Sequence, residues 1–209
     1  MVTIFATLGW EPKSVIPSIK IRDNVEELVV YYSPDEKGEK AYQELWGYCS
    51  KMNLPLKPTK LKAPFDLIKT ANEIRKDLKA YAKKDIIFNI TGGTKVMASG
   101  ALLACILEGK PAVYCNEKTG KEEPLPLMQI KYEDFLSEQQ RKILKIIKEL
   151  GEKCTAVAVA KKAALKKATV SHHIKELEDR GLITIETSKE DSRKKFLKIS
   201  ESVELLVSD

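Results

Sequence analysis

Short apolar runs alternate with segments of helical spacing along the first two-thirds of the chain. The apolar runs predict four strands, at 2–8, 27–32, 54–61 and 85–90, of which the third contains two prolines and is expected at a sheet edge. Apolar residues at helical intervals predict four helices, at 14–22, 36–52, 65–82 and 94–107. Strands that alternate with helices are joined by right-handed crossovers, so the pattern predicts an α/β fold with a Rossmann-like, doubly wound sheet.

The end of this region has a different pattern. Residues 112–116 and 125–130 both read as strands, and the segment 117–124 between them is rich in turn-forming residues. We therefore expect a terminal hairpin that adds two strands to the sheet.

From Ser137 the predicted helices are short and closely spaced. Ser137 and Gln140 fit the capping-box pattern at a helix start. Three helices follow, ending near 150, 165 and 180, and then two strands, at 182–187 and 194–199. This order is the plan of a winged helix-turn-helix. The expected domains are a ligand-sensing domain at 1–131, a stiff linker without glycine or proline at 132–136, and a DNA-binding domain at 137–209.

Charge is distributed unevenly over the 209 residues. The whole chain has a net charge of +6, with 43% hydrophobic and 32% charged residues, which is a globular composition. Residues 137–209 contain 16 lysines and arginines against 12 acids, and the stretch from 153 to 175 contains six lysines and no acid. A polyanionic partner is therefore expected at the tail.

Several classes of protein are not expected. The longest apolar run, 96–107, is too short for a membrane helix, and no signal peptide is visible, so we expect a cytoplasmic protein with no membrane partner. The four cysteines are scattered without a CxxC pair, which favours buried thiols over zinc or disulfides. No metal site is expected: a site of the histidine pair with Cys154 lacks a third ligand at suitable spacing.

The third helix of the tail has the features of a DNA-recognition helix. Its apolar positions 170, 174 and 177 face the core, and the opposite face is basic and rich in hydroxyls, which suits a major groove. A solvated lysine face or a protein-docking module are the alternatives. The residues predicted to contact double-stranded DNA are Lys166, Lys167, Thr169, Ser171, His172 and Lys175, with Arg193 and Lys194 on the wing.

Two strand-to-turn junctions are the candidates for ligand binding in the first domain. Thr7-Leu8-Gly9-Trp10 ends the first strand, and Asn89-Ile90-Thr91-Gly92-Gly93-Thr94-Lys95 ends the fourth. Ligands of parallel sheets collect at such strand ends, and a helix start favours phosphate. Neither the GxGxxG nor the P-loop fingerprint is present, and a plain tight turn is the alternative. No histidine occurs before position 172, so no catalytic set is assigned.

These junctions, placed ahead of a winged helix, resemble those of CARF-domain proteins, the CRISPR-associated Rossmann-like sensors. Specifically, the chain looks like the archaeal CRISPR-associated CARF–winged-helix transcription regulators. The first family motif is matched by Thr7-Leu8-Gly9-Trp10-Glu11 and the second by residues 89–95. The tail is similar to many winged-helix regulators and does not identify one family.

The resemblance implies a homodimer that binds a cyclic oligoadenylate, specifically cyclic tetra-adenylate, in a two-fold-symmetric cleft. The ring is an effector ligand, and no cofactor is implied. The ligand-binding residues transferred from the family are Thr7, Gly9, Trp10, Asn89, Thr91, Gly92, Gly93, Thr94 and Lys95. The implied function is a cyclic-oligoadenylate-responsive transcriptional regulator of CRISPR-Cas loci in antiviral defence.

Two other functions are kept as alternatives. One is a ring nuclease that degrades cyclic tetra-adenylate and uses its winged helix for dimerisation or docking. The Arg-x4-6-His motif of CARF-linked ribonucleases is missing, so the protein is not expected to be an enzyme, although slow cleavage of the bound ring stays open. The other is a dinucleotide-sensing repressor, which the missing GxGxxG disfavours.

Overall fold

The protein consists of two compact units. The computed structural model describes residues 1–116, 118–187, 194–200 and 203. It separates the chain into Met1–Lys131 and Tyr132–Asp209, and each unit has its own hydrophobic core.

The first unit, Met1–Lys131, called the front unit below, is built on a six-stranded sheet that confirms the Rossmann-like prediction. Its described strands are β1 (Val2–Thr7), β2 (Val25–Tyr32), β3 (Leu56–Lys60), β4 (Asp85–Asn89), β5 (Ala112–Cys115) and β6 (Glu122–Pro124). They lie in the order β3-β2-β1-β4-β5-β6, with only β6 antiparallel to its neighbour among these strands. The strand order reverses direction between β1 and β4, where ligands bind in such sheets.

Helices cover both faces of this sheet. They are α1 (Ile16–Lys20), α2 (Glu36–Lys51), α3 (Leu67–Ala80) and α4 (Lys95–Glu108). Alternate residues of β1 point to opposite faces: Ile4 packs with α1 and α2, and Phe5 packs with α3 and α4. Pro17 is tolerated in α1 because it lies in the first turn, where an amide donor has no intrahelical partner.

Helices α3 and α4 pack closely. A Cβ atom on Gly100 would lie 2.9 Å from Thr70 Cγ2, so glycine is needed at the crossing. The same pair of helices is joined by a buried ion pair, in which Arg75 Nε donates to Glu108 Oε1 over 2.8 Å. The small residues of α4 therefore serve packing within the domain.

The predicted strand at 125–130 is wrong. The hairpin turns earlier: the Gly120 amide donates to the Asn116 carbonyl, and the Asn116 amide donates to the Lys121 carbonyl, which places β6 at Glu122–Pro124. Pro124 and Pro126 have no amide hydrogen, so the segment that follows cannot continue a regular ladder.

The second unit has the predicted order of three helices and a hairpin. Its elements are α5 (Glu138–Leu150), α6 (Ala156–Ala163), α7 (Lys167–Asp179), β7 (Ile183–Thr187) and β8 (Lys195–Ile199), with β7 and β8 antiparallel. The capping box is confirmed, since Ser137 Oγ accepts from the Gln140 amide and Gln140 Oε1 accepts from the Ser137 amide. Residues 132–135 form a 3-10 helix within this unit, and Leu136 is buried in its core.

Two further expectations can be compared with the structure. All four cysteines are buried, as predicted. Among the described helices, none combines the length and the apolar character that a membrane crossing requires.

Candidate ligand cleft and recognition helix

The two glycine-bearing turns meet at the carboxyl edge of the sheet. β1 and β4 are adjacent, so the turns that follow them lie side by side. A Cβ atom on Gly92 would lie 2.4 Å from the Thr7 carbonyl oxygen, and one on Gly9 would lie 3.0 Å from the Gly93 nitrogen. The backbones can approach this closely because neither position has a side chain.

A cleft of about 460 Å³ opens at this contact. That volume lies within the range of small-molecule sites. Four segments form its walls: the turns after β1, β2 and β4, and the stretch before α3. The lining residues are Leu8, Gly9, Trp10, Glu11, Lys13, Ser14, Ser33, Asp35, Gly38, Phe65, Thr91, Gly92, Gly93, Thr94 and Met97.

Buried polar side chains hold the turn after β4 in shape. Asn89 is fully buried; its Nδ2 donates to the Ser14 carbonyl (2.8 Å) and to Ser18 Oγ (2.7 Å), and its Oδ1 accepts from the Thr91 amide (2.9 Å). Thr91 Oγ1 accepts from the Cys115 amide over 2.6 Å. Asn89 therefore joins the turn to the segment that follows β1, and its hydrogen-bonding capacity is used within the protein.

The start of α4 borders the cleft. Thr94 Oγ1 accepts from the Met97 amide over 3.1 Å and donates to the Pro64 carbonyl over 3.3 Å, so Thr94 caps the helix. Gly93 has a φ of +85°, a conformation that favours glycine. The first amides of a helix attract anions, and Lys95 is exposed at the first helical position. The cleft thus has a positive helix end in its wall.

An aromatic ring and a cation lie together at the mouth of the cleft. Trp10 is 66% exposed, and the Lys37 ammonium lies 3.9 Å from the centroid of its ring, which is a cation–π contact. This pair offers both a stacking surface and a positive charge.

Two carboxylates of the cleft are engaged with protein donors. Glu11 forms a 2.7 Å ion pair with Lys13, and the hydrogen bond from that lysine lowers the pKa of the Glu11 carboxyl. The Ser33 hydroxyl and the Gly38 amide, which donates over 2.8 Å, lower the pKa of Asp35. Both side chains are therefore ionised at neutral pH, and each has its own partner.

In the second unit, α7 presents a polar face to solvent. The predicted apolar stripe is buried, and consists of Val170, Ile174 and Leu177. The opposite positions are accessible. Thr169 is half-buried, and the exposed residues are Lys166, Lys167, Ser171, His172, Lys175 and Lys194.

Three lysines of α7 and its N-cap position have no acidic partner among the described residues. Lys166, Lys167 and Lys175 form no ion pair with another residue of the described chain, whereas Lys162 is paired with Glu149 over 2.6 Å. Lysines without acidic partners can neutralise phosphates without first breaking a contact.

A groove of about 280 Å³ runs between α7 and the β7–β8 hairpin. Ser171, Lys175 and Lys195 all line it, so the hairpin adds a cation beside the polar face of the helix. Of the predicted wing contacts, Lys194 is exposed and Arg193 lies outside the described residues.

Residues 2–123, more than half of the chain, match the model of the Csa3 CRISPR-associated Rossmann-like domain. The chain belongs to this family. Residues 136–195 match the model of the MarR family. No curated protein matches the sequence. The Csa3-family domain coincides with the unit that contains the cleft, and the MarR match with the unit that contains α7.

Several solved structures are similar to the chain or to part of it. The chain is similar over 98% of its length to Can2 from Sulfobacillus thermosulfidooxidans, solved in complex with cyclic tetra-adenylate, at a TM-score of 0.50 and 15% identity. It covers 62% of Can2, and the likeness is one of fold. Two winged-helix matches each cover 36% of the chain: BpsR of Bordetella bronchiseptica, at 28% identity and TM-score 0.34, and Staphylococcus aureus MarR with salicylate and kanamycin, at 29% and 0.32. The chain spans 54% and 49% of those two proteins.

Most of the ligand residues predicted for the Csa3-family domain come together in the cleft. The six that line it are Gly9, Trp10, Thr91, Gly92, Gly93 and Thr94. Thr7 and Asn89 are fully buried, and Lys95 is exposed beside the cleft-lining Thr94. The two buried side chains therefore belong to the frame of the site.

Sequence reasoning missed the wall formed by the turn after β2. Ser33, Asp35 and Gly38 line the cleft there, and Phe65 lines it from the segment before α3. A Cβ atom on Gly38 would lie 2.1 Å from the Ser33 carbonyl oxygen. The predicted position of β2 could have indicated this wall. Because β2 is parallel to β1, its carboxyl end lies at the same edge of the sheet.

Proposed function

We propose that this protein is a cyclic-oligoadenylate-responsive, DNA-binding transcription regulator of CRISPR-Cas loci. The observation that carries the proposal is the contact between the glycine turns of β1 and β4, which forms the floor of a cleft at the switch point of the sheet. Backbone amides that are not shielded by side chains can contact phosphate oxygens directly.

The ligand class follows from the groups that surround this floor. The start of α4 and Lys95 favour phosphates, and the exposed Trp10 ring offers a surface on which a base can stack. Can2, the solved protein of similar fold, holds cyclic tetra-adenylate. We infer that the same ring is the effector of this protein.

Ring symmetry suits a homodimer. A cyclic tetranucleotide has four phosphates, and two copies of the cleft related by a two-fold axis would present every turn twice. The proposal therefore requires one ring for two chains.

The second unit supplies the DNA-binding half of the proposal. We assign the exposed Lys166 and Lys167 to phosphates, and the exposed Ser171, His172 and Lys175 to base edges in the major groove. Thr169 flanks these positions, and Arg193 and Lys194 are assigned to the adjoining backbone. The CRISPR-associated domain in front links this activity to CRISPR loci.

Replacement of Lys95 tests the assignment of the cleft. Lys95→Ala should abolish binding of cyclic tetra-adenylate, because it removes the point charge at the start of α4, and should leave DNA binding without the ring unchanged. Calorimetric titration with the ring and fluorescence anisotropy with labelled operator DNA measure the two effects.

Lys79→Ala is the matched control, since Lys79 is an exposed lysine near the other end of a neighbouring helix. It should bind the ring with parental affinity. Unchanged ring affinity in Lys95→Ala would show that the ligand site lies elsewhere.

A ring nuclease would instead release linear products, and their yield would fall when Thr94 or Lys95 is replaced.

A further inference from the structure

Three potential metal ligands lie together on α7. His172 Nε2 is 3.6 Å from Glu176 Oε1, and His173 Nδ1 is 3.3 Å from Glu176 Oε2. One ligand atom from each of the three side chains falls within 4.8 Å of the others. His173 and Glu176 are partly buried, and His172 is exposed at the edge of the recognition face.

The hydrogen bonds of His173 leave a lone pair directed at Glu176. His173 Nε2 lies 2.8 Å from Gln139 Oε1, an acceptor, so Nε2 holds the hydrogen in the neutral ring. Nδ1 is then an acceptor, and it faces an oxygen of an ionised carboxylate. Two acceptors at 3.3 Å repel each other unless a proton on Nδ1 or a metal ion lies between them.

The spacing suits a metal ion in that position. Zinc binds nitrogen at about 2.0–2.1 Å and carboxylate oxygen at about 2.0–2.2 Å, and the edge of such a tetrahedron is about 3.3–3.5 Å long. The 3.3 Å separation of His173 Nδ1 from Glu176 Oε2 matches that edge. His172 Nε2 faces the other oxygen, Oε1, at 3.6 Å, so one ion between the two imidazoles requires that both carboxylate oxygens bind it or that the exposed His172 ring rotates toward Oε2.

Residues outside the cluster orient its ligands. Gln139 holds the far nitrogen of His173, and Gln140 Nε2 donates to Glu176 Oε2 over 2.9 Å. Gln140 is itself fixed by the capping box of α5, because its Oε1 accepts from the Ser137 amide. Metal-binding histidines are commonly oriented in this way through their second nitrogen.

We propose that His172, His173 and Glu176 bind one divalent transition-metal ion such as Zn²⁺. One coordination position is left for water. Two imidazoles and one carboxylate favour such an ion over Mg²⁺ or Ca²⁺, which prefer oxygen ligands. The third ligand absent from the sequence prediction is Glu176, three and four residues beyond the histidines.

Metal binding has a consequence that rests on the proposed DNA-binding function. A bound ion holds the His172 ring against Glu176. The ring is then no longer available to contact bases in the DNA major groove. Zinc should therefore weaken or alter operator recognition, while the metal site itself can be measured without DNA.

The test is a Co²⁺ and Zn²⁺ titration of the full chain, reduced and free of DNA. We expect one ion per chain, visible d–d bands without a thiolate-to-cobalt band, and shifts of both imidazoles in ¹⁵N NMR, where the two histidines of the chain are readily resolved. If Zn²⁺ does not bind at ~100-fold molar excess over the protein and the imidazole signals do not shift, the proposal is overturned. The His173–Glu176 contact would then be an ordinary hydrogen bond.

Substitutions on α5 and α7 distinguish direct metal binding by Glu176 from a general effect of negative charge on zinc affinity. Glu176→Gln should lower zinc affinity at least ~10-fold, and Gln139→Ala, which removes only the orienting contact, about 10-fold. Glu178→Gln, an exposed acid on the same helix, should have parental affinity. Equal affinity in Glu176→Gln and parent, with circular dichroism unchanged, would contradict the assigned ligand set.

Discussion

At the scale of single residues, the site depends on positions without side chains. Gly92 lies against the Thr7 carbonyl and Ser14 Oγ, and an added Cβ would be within 2.8 Å of both atoms. The TGG sequence made this turn visible in advance. The partners of the turn were not visible, because they come from a strand that is distant in sequence.

Gly92→Ala should destabilise the front unit by about 1–3 kcal/mol, since two backbone segments must separate to admit a methyl group. Urea unfolding followed by tryptophan fluorescence measures this effect in the relevant unit, because Trp10 and Trp46 both lie there.

The control for this substitution is Gly47→Ala. Gly47 lies within α2, and nothing approaches its Cβ position within 4 Å. Alanine should stabilise that helix by roughly 0.5–1 kcal/mol. A neutral or stabilising Gly92→Ala would mean that the two turns do not pack as closely as the structure places them.

At the scale of elements, prediction succeeded where the apolar pattern is regular. The stripes of α3, α5 and α7 define their buried faces, and the run at 85–90 has the continuous apolar character of a central parallel strand. The pattern failed at 125–130, where Leu125 and Leu127 pack against the core. The Leu125 amide still donates to the Ala112 carbonyl of β5, but the strand ends at Pro124. Apolar alternation reports burial, and the prolines decide against the ladder.

The lysines at the start of α7 should contact DNA without regard to its sequence. Lys167→Ala should weaken binding of specific and random duplexes by similar factors, and should lower the slope of log K against log salt by about 1. Anisotropy titrations at several salt concentrations measure both quantities. A loss confined to the operator would contradict a pure phosphate contact.

The exposed face of α7 should instead set sequence preference. Ser171→Ala should change the ranking of operator variants, with discrimination at one base pair altered by about 1–3 kcal/mol and a nearly unchanged salt slope. A uniform loss over all duplexes would place Ser171 with the phosphate contacts.

At the scale of the whole molecule, one chain contains a Csa3-family domain and a MarR-type domain. We propose that the ring alters the spacing of two recognition helices in a dimer, which must match half-sites about 34 Å apart. Linkage requires that the ring and DNA affect each other's affinity by the same factor.

This reciprocity is directly measurable. The ratio of operator affinities with and without saturating cyclic tetra-adenylate should equal the ratio of ring affinities with and without saturating operator DNA, and both should differ from 1. Ratios of 1 in both directions would mean that the two units bind their ligands independently.

Calorimetric titration of the protein with cyclic tetra-adenylate, followed by chromatographic recovery of the ring, shows whether the protein is a sensor of cyclic oligoadenylate. A sensor should bind one ring per two chains saturably and release the ring intact. Linear products would make the protein a ring nuclease, and a titration without heat or saturation would contradict the assignment of the cleft.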